Sequence, residues 1–169
     1  MRPKTNALNL IKMFPNYKKI NHLDYGGGNG ILSKILREYN WMSTSYDPFV
    51  DKDVQTEDLG KFNLITVYEV FEHVSDINNL MKIITSLLTD DGIVMFSTLV
   101  SDGNIIKNQR LTWWYASPRN GHISLFTMRS LHNIAIKFHL RMGSLNAGLH
   151  ILLPQKDPDW FPYIKKINN

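Results

Sequence analysis

The sequence contains no cysteine, which excludes disulfide bonds, zinc–thiolate sites and cysteine nucleophiles. It also lacks any apolar run near the roughly 18 residues that a membrane span requires. The first residues, MRPKTN, have no apolar core of the kind that a signal peptide carries. These absences predict a cytoplasmic protein with no membrane segment.

An excess of charge of one sign is absent too. The 19 Lys and Arg residues against 15 Asp and Glu residues give a formal net charge of +4, and the basic residues are scattered. Scattered basic residues favour a solvated surface over a face for nucleic acid, so a nucleic-acid partner is the less favoured alternative but stays open. The sequence gives no indication of the oligomeric state.

The length of 169 residues and the 43% of hydrophobic residues predict one domain, residues 1–169. We expect its core to span residues 20–153, after a lead-in helix over 5–14 and before a tail over 154–169. Apolar residues at helical spacing predict further helices over 29–39, 77–88 and 127–138, the last capped by Thr127. Apolar and β-branched segments predict strands over 20–25, 41–46, 62–68, 93–98, 140–145 and 149–153.

Strands that alternate with helices predict a mostly parallel sheet with helices on both faces. The last two predicted strands are joined by a few residues that include Gly148, as in a hairpin. The final strand should therefore run antiparallel to the others. Many α/β folds share this beginning, so the organisation alone does not decide the function.

A glycine-rich turn follows the first predicted strand, in the sequence Asp24-Tyr25-Gly26-Gly27-Gly28-Asn29-Gly30. Gly26, Gly28 and Gly30 form G-x-G-x-G, whereas the dinucleotide fingerprint would need a glycine in place of Ile31. This spacing makes a nicotinamide oxidoreductase the least favoured enzyme class. Asp47 ends the second predicted strand, where a carboxylate can accept hydrogen bonds from both hydroxyls of a ribose.

Two carboxylates and an imidazole follow the strand predicted over 62–68, in the sequence Glu69-Val70-Phe71-Glu72-His73. A further histidine, His122, comes just before the helix that Thr127 caps. Carboxylate and imidazole ligands at a strand's carboxyl end suit Mg²⁺, Mn²⁺ or Fe²⁺. Without a metal, His122 and His73 are the candidate general bases, and the sequence leaves both interpretations open.

Trp113, Trp114 and Tyr115 lie in an irregular segment over residues 101–124. Their flat rings with a polar edge suit sugar rings, aromatic acceptors or nucleobases, so we expect them to line a substrate pocket. The alternative is that they only pack this segment onto the sheet. His22, His132, His139 and His150 are expected to be structural or surface residues.

Four segments resemble the motifs of class I S-adenosylmethionine-dependent methyltransferases: LDYGGGNG, YDP, FNLITVYEVFEHV and DDGIVMFST. The resemblance runs from residue 20 to residue 153 and implies their Rossmann-like α/β fold and S-adenosylmethionine as the cofactor. By that resemblance Asp24 lies near the methionine moiety, Gly26, Gly28 and Gly30 pass beneath it, Asp47 holds the ribose and Glu69 lines the site. Residues 56–59 depart from the family, since its usual third strand is compressed or absent there, and Asp58 is only a weak candidate for the acidic contact to adenine.

The Glu-x-x-Glu-His string with a later histidine is similar to metal-dependent small-RNA terminal 2′-O-methyltransferases and to ubiquinone-pathway O-methyltransferases. That likeness implies Glu69, Glu72, His73 and His122 as ligands of one divalent cation, Mg²⁺ or Mn²⁺. The run WWYASPRNGHISLFT resembles methyltransferases associated with bacterial glycans and small molecules. We therefore expect O-methylation of a small hydroxylated acceptor, such as a sugar. The alternatives are a metal-dependent RNA 2′-O-methyltransferase and a non-catalytic binding module that keeps the fold.

Overall fold

Strands and helices alternate along a computed structural model of the protein, which describes residues 2–15 and 17–161. The strands are β1 (Asn21–Tyr25), β2 (Met42–Tyr46), β3 (Phe62–Tyr68), β4 (Leu88–Ser97), β5 (Arg141–Asn146) and β6 (Leu149–Leu153). The α-helices are α1 (Arg2–Met13), α2 (Ile31–Glu38), α3 (Ile77–Leu87) and α4 (Met128–Lys137). No helix among the described residues is long and apolar enough to cross a membrane.

The six strands form one sheet in the order β2-β1-β3-β4-β6-β5. β1 pairs in parallel with β2 and with β3, and β3 pairs in parallel with β4. β6 runs antiparallel to both β4 and β5. The predicted mostly parallel sheet with an antiparallel C-terminal hairpin strand is therefore confirmed.

The helices cover both faces of the sheet. The neighbouring β3 residues Leu64 and Ile65 are both fully buried but lie in different hydrophobic clusters. Ile65 packs in the cluster that holds Met81 of α3 and Leu131 of α4, whereas Leu64 packs with Leu10 of α1 and others. A strand buried on both faces is the expected centre of a parallel sheet, because the crossover helices lie on either side.

The edge of the sheet beyond β2 agrees with the compressed or absent third strand that the sequence predicted, whereas the starts of β4 and α1 differ from the sequence-based expectations. Residues Thr56–Leu59 form a 3₁₀ turn, so the described chain has no strand beyond β2 on that side, and Asp58 is exposed. β4 begins at Leu88 instead of residue 93, and its pairing with β3 shifts register between Phe62 and Leu64. Gly92 lies in this irregular stretch, where a Cβ would come within 2.9 Å of the Thr89 carbonyl oxygen.

α1 begins at Arg2 instead of residue 5, since a proline such as Pro3 is tolerated in the first turn of a helix. The described part of the predicted tail packs on the end of this helix. The Phe14 ring lies 6.1 Å from Trp160 and 5.7 Å from Phe161, between ring centroids. The predicted tail beyond Phe161 lies outside the described residues.

Candidate active site

The glycine turn joins the carboxyl end of β1 to α2. Gly26, Gly28 and Gly30 have φ angles of 74°, 55° and 68°, in the left-handed region that favours glycine. A Cβ on Gly27 would lie 2.5 Å from the Ser45 hydroxyl oxygen and 2.6 Å from Asp24 Oδ2. A Cβ on Gly28 would meet no atom within 4 Å, so the backbone there borders open space that a ligand can enter.

The Asp47 carboxylate lies beside this turn, at the end of β2. Its Oδ2 accepts a hydrogen bond of 2.9 Å from the Gly28 backbone N–H, and its Oδ1 accepts one of 2.9 Å from the Phe49 N–H. These two bonds fix the carboxylate beside the glycine turn. Because each carboxylate oxygen can accept a further bond, the group can still bind the hydroxyls of a ribose.

Asp24 is buried at the end of β1, with 4% of its surface exposed. The Thr66 hydroxyl of β3 donates a hydrogen bond of 2.8 Å to its Oδ1. Burial raises the pKa of the Asp24 carboxyl to about 6, with a contribution from the negative charge of Asp47 against the lowering effect of the Thr66 bond. A cationic ligand group beside this carboxylate would relieve its desolvation.

A buried polar chain behind Asp24 was missed by the sequence analysis. His22 Nε2 lies 3.0 Å from the Thr66 hydroxyl oxygen and His22 Nδ1 lies 2.7 Å from that of Ser43. Burial lowers the pKa of His22 to about 3, so the ring is neutral. Since the Thr66 proton goes to Asp24, Thr66 accepts from Nε2–H and Ser43 donates to Nδ1. His22 is structural, as expected, but it also orients the hydroxyl that holds Asp24.

Two cavities lie at the carboxyl ends of β1 and β3. The first, here called the α1 cavity, measures about 490 Å³, and the second, here called the α3 cavity, measures about 480 Å³. Gly26 and Glu69 line both, so the cavities meet at these two residues. The lining of the α1 cavity includes Arg2, Asn6, Asn9, Asp24 and Gly27, and that of the α3 cavity includes Asp47, Phe49, Val70, His73 and Asp76.

The charges of this double cavity are mainly negative. Four carboxylates line it, those of Asp24, Asp47, Glu69 and Asp76. Among the described residues that line either cavity, Arg2 is the one Lys or Arg. Such a cavity attracts a ligand with positive charge and disfavours a pyrophosphate.

Glu69 occupies the junction of the two cavities in a strained conformation. Its φ of 57° lies in the left-handed region, which is costly for a residue with a Cβ. Its backbone N–H donates to the Ser97 hydroxyl at 2.8 Å, and its Oε2 pairs with Arg2 Nη1 at 2.5 Å. The structure therefore directs the Glu69 carboxylate toward α1 and does not bring it together with Glu72, His73 and His122.

Those three other predicted ligands do lie together. Glu72, His73 and His122 each offer one ligand atom, all within 4.8 Å of one another. The Glu72 side chain is fully buried, and neither carboxylate oxygen has a hydrogen-bond partner in the described part of the chain. The backbone carbonyl of Glu72 accepts from the N–H groups of Ile123 and Ser124, which fixes the segment of His122 beside it.

Both histidines of this cluster are oriented by backbone carbonyls. His73 Nδ1 lies 3.0 Å from the Gly121 oxygen, and His122 Nδ1 lies 2.6 Å from the Tyr115 oxygen. A carbonyl only accepts, so each Nδ1 carries the proton and each neutral ring keeps its lone pair on Nε2. This arrangement is typical of histidines that bind a metal or take up a proton.

The aromatic residues predicted to line a substrate pocket have different places. Tyr115 is buried, its ring centroid lies 4.0 Å from that of His122, and its hydroxyl lies 3.2 Å from the Thr98 hydroxyl oxygen. Burial raises the pKa of Tyr115, and the nearby Glu72 carboxylate raises it further. Trp114 is 61% exposed, and Trp113 borders a separate cavity of about 240 Å³. None of the three is among the described residues that line the α1 or α3 cavity.

The raised pKa of Asp24 predicts that Asp24→Asn stabilises the free protein at neutral pH. Because the folded pKa of about 6 exceeds the usual 3.8, stability falls as the pH rises from about 4 through 6. The asparagine removes this penalty, which reaches about 3 kcal/mol above pH 6 for a shift of this size. Urea unfolding between pH 4.5 and 8 measures the free energy of unfolding of both proteins. The difference in favour of the variant should grow as the pH rises to about 6 and should then stay constant.

Asp53→Asn, which changes an exposed aspartate, serves as the matched control and should show no such gain. An Asp24→Asn protein that is less stable than the wild type at pH 8 would contradict the assignment of the desolvation penalty to this carboxylate.

Residues 2–144 match the family described as "Methyltransferase domain". Among solved structures, an O-methyltransferase family protein from Burkholderia thailandensis is similar with a TM-score of 0.58 and 11% identity, over 90% of this chain and 56% of that one. The N-terminal domain of EvdMO1, solved in the presence of S-adenosylhomocysteine and D-fucose, is similar with a TM-score of 0.52 and 15% identity. The match covers 89% of this chain and 80% of that one. A SAM-dependent methyltransferase from Thermotoga maritima is similar with a TM-score of 0.53 and 10% identity, over 91% of each chain.

At such low sequence identities, the structural likeness shows a shared fold. The present chain spans little more than half the length of the Burkholderia protein. A comparison with curated protein sequences found no match. The family match, in contrast, covers most of the chain and agrees with the sheet and the glycine turn described above. By this match the chain belongs to the methyltransferase-domain family, and it shares its fold with solved SAM-dependent methyltransferases.

Proposed function

We propose that the protein transfers the methyl group of S-adenosylmethionine to a hydroxyl oxygen of a small acceptor, such as a sugar or another molecule with neighbouring hydroxyls. The observation that carries this proposal is the cluster of Glu72, His73 and His122 beside the α3 cavity. It supplies two imidazole rings and a carboxylate at the edge of the α3 cavity.

The residues of the double cavity fit the cofactor. Asp47 is placed to accept hydrogen bonds from ribose hydroxyls in the α3 cavity, and Asp24 to accept from an ammonium group in the α1 cavity. The open space at Gly28 lets the cofactor lie directly on the backbone. The bound cofactor supplies an electrophilic methyl group and a neutral thioether as leaving group.

The histidine cluster favours oxygen as the methylated atom. An alcohol holds its proton at neutral pH and is a weak nucleophile until that proton is removed. His73 and His122 each offer an Nε2 lone pair, and Tyr115 supports the His122 ring. A general base of this kind contributes typically 10²–10⁴-fold to a rate, and bringing the acceptor into line with the methyl group contributes the rest.

The cluster also fits a divalent cation. Neither of the two buried Glu72 oxygens has a hydrogen-bond partner among the described residues, and the two imidazoles are already oriented. Two nitrogens and one carboxylate suit Mn²⁺, Fe²⁺ or Zn²⁺ better than Mg²⁺, which prefers oxygen ligands. Mg²⁺ is less favoured here than the sequence suggested, because the Glu69 carboxylate pairs with Arg2 and does not add a second carboxylate to the cluster. A cation held there would supply a Lewis acid that binds two neighbouring hydroxyls and lowers the pKa of one.

An RNA acceptor is less well supported by the same site. RNA brings a row of phosphates that need Lys and Arg side chains along the cleft. The described residues that line the two cavities include four carboxylates and only Arg2 as a cation of that kind. A small neutral acceptor agrees with this charge distribution. The EvdMO1 domain, which shares the fold, was solved in the presence of a sugar, D-fucose.

The cofactor step predicts saturable binding of S-adenosylhomocysteine at one site per chain. We expect Asp47→Ala to weaken it by about ten- to hundredfold, since two charge-assisted bonds to the ribose are lost. Isothermal titration calorimetry measures the affinity and the stoichiometry for the wild type and for Asp47→Ala. The control Asp53→Ala changes an exposed aspartate that lines neither cavity and should bind like the wild type. A folded wild type that binds nothing would reject the methyltransferase activity and favour a non-catalytic module.

The chemical step predicts that His122→Ala slows methyl transfer by about 10²–10⁴-fold. The assay measures S-adenosylhomocysteine formation with monosaccharides and catechol as acceptors. The affinity for S-adenosylhomocysteine should stay within about twofold, since His122 does not line either cavity. His132→Ala, on the exposed face of α4, is the control. Equal rates in His122→Ala and the wild type would show that the cluster does not act on the acceptor.

The cation step predicts that the wild type binds one Mn²⁺ per chain and that Glu72→Gln does not. Electron paramagnetic resonance of free Mn²⁺ gives the stoichiometry without any acceptor. Glu69→Gln is the matched control and should keep the site, because its carboxylate pairs with Arg2. Mn²⁺ binding that is lost in Glu69→Gln would return Glu69 to the ligand set, and a wild type that binds no Mn²⁺ would leave the histidines as bases alone.

A further inference from the structure

Arg2 holds a position that the sequence analysis did not single out. It is the first residue of α1, and its Nη1 lies 2.5 Å from Glu69 Oε2 at the junction of the two cavities. No other Lys or Arg lines either cavity within residues 2–15 and 17–161. Any anionic group bound there has this one guanidinium as its counter-charge.

The packing of α1 fixes where the backbone of Arg2 lies, while the Arg2 side chain is 74% exposed. Ala7 and Leu10 of this helix are fully buried against the sheet. Five α1 residues border the α1 cavity. One is Pro3, and the other four recur at the spacing of one helical face: Arg2, Asn6, Asn9 and Met13. Because the apolar face is anchored in the core, the polar face is held toward the cavity.

The amino-acid end of the cofactor carries an ammonium and a carboxylate. The α1 cavity contains the Asp24 and Glu69 carboxylates, which match the ammonium and the sulfonium charge. The cofactor's own carboxylate would meet two like charges there, which is unfavourable unless a cation lies beside it. A guanidinium has five N–H donors, so Arg2 can bind Glu69 and a second carboxylate at once.

We propose that Arg2 binds the α-carboxylate of the cofactor, and that Glu69 is the positioning residue that holds its guanidinium over the α1 cavity. This inference rests on the proposed function, since it assigns one end of the same cofactor. The residue that holds the guanidinium is also the one with the left-handed φ at the junction of the two cavities.

The test compares two ligands that share the adenosine and differ in the amino-acid end. S-adenosylhomocysteine carries the α-carboxylate, whereas 5′-methylthioadenosine lacks the whole amino-acid moiety. We expect Arg2→Ala to weaken S-adenosylhomocysteine by about tenfold in calorimetric titrations and to leave 5′-methylthioadenosine within about twofold. Lys4→Ala removes the same charge from an exposed residue of α1 that lines neither cavity, and should change neither affinity.

Arg2→Lys should recover part of the loss, since it keeps the charge but not the planar fork of donors. S-adenosylhomocysteine affinity that is unchanged in Arg2→Ala would overturn the assignment while leaving the proposed function intact. An equal loss for both ligands would also overturn it, because it would show a general disturbance of the site. If the wild type binds neither ligand, the proposed function fails, and this inference fails with it.

Discussion

The site depends on one unfavourable placement, a carboxylate buried near the carboxyl end of β1. Asp24 keeps its position because Thr66 on the neighbouring strand donates to it, and Thr66 is oriented in turn by the neutral ring of His22. This chain of bonds ties β1 to β3 beneath the point where the two cavities meet. The desolvation that raises the Asp24 pKa is also what makes a cationic ligand favourable there.

Most of the fold could be predicted, because the signals are local. Continuous apolar strands and helical periodicity gave the element types, and the hairpin around Gly148 gave the antiparallel ending. The register shift in β4 was not predicted, since the Asp91-Gly92 pair reads as a turn whether or not pairing resumes on either side. The shortened edge was visible in the sequence, and the 3₁₀ turn at Thr56–Leu59 agrees with it.

The candidate site was harder to predict where side-chain direction decides it. Glu69 belongs to the same short string as Glu72 and His73, but it has a left-handed φ and its carboxylate pairs with Arg2 of α1. Sequence spacing does not encode that angle. The hydrogen-bonded chain from His22 to Asp24 did leave a signal in the sequence. The two residues are two positions apart in a strand and therefore lie on the same face of the sheet. Arg2 was missed because apolar periodicity marks the buried face of α1 and not the opposite one.

The balance of charge in the cleft connects these features to the choice of cofactor. A dinucleotide would bring two phosphates to a cleft with four carboxylates and one arginine among its described lining residues. S-adenosylmethionine brings a sulfonium and an ammonium, with a single carboxylate, so its positive groups outnumber its negative one. The charge of the cleft therefore favours S-adenosylmethionine over a dinucleotide, as the spacing of the glycines does. Two independent physical constraints thus favour the same cofactor, and the single arginine is matched by the single carboxylate that this cofactor carries.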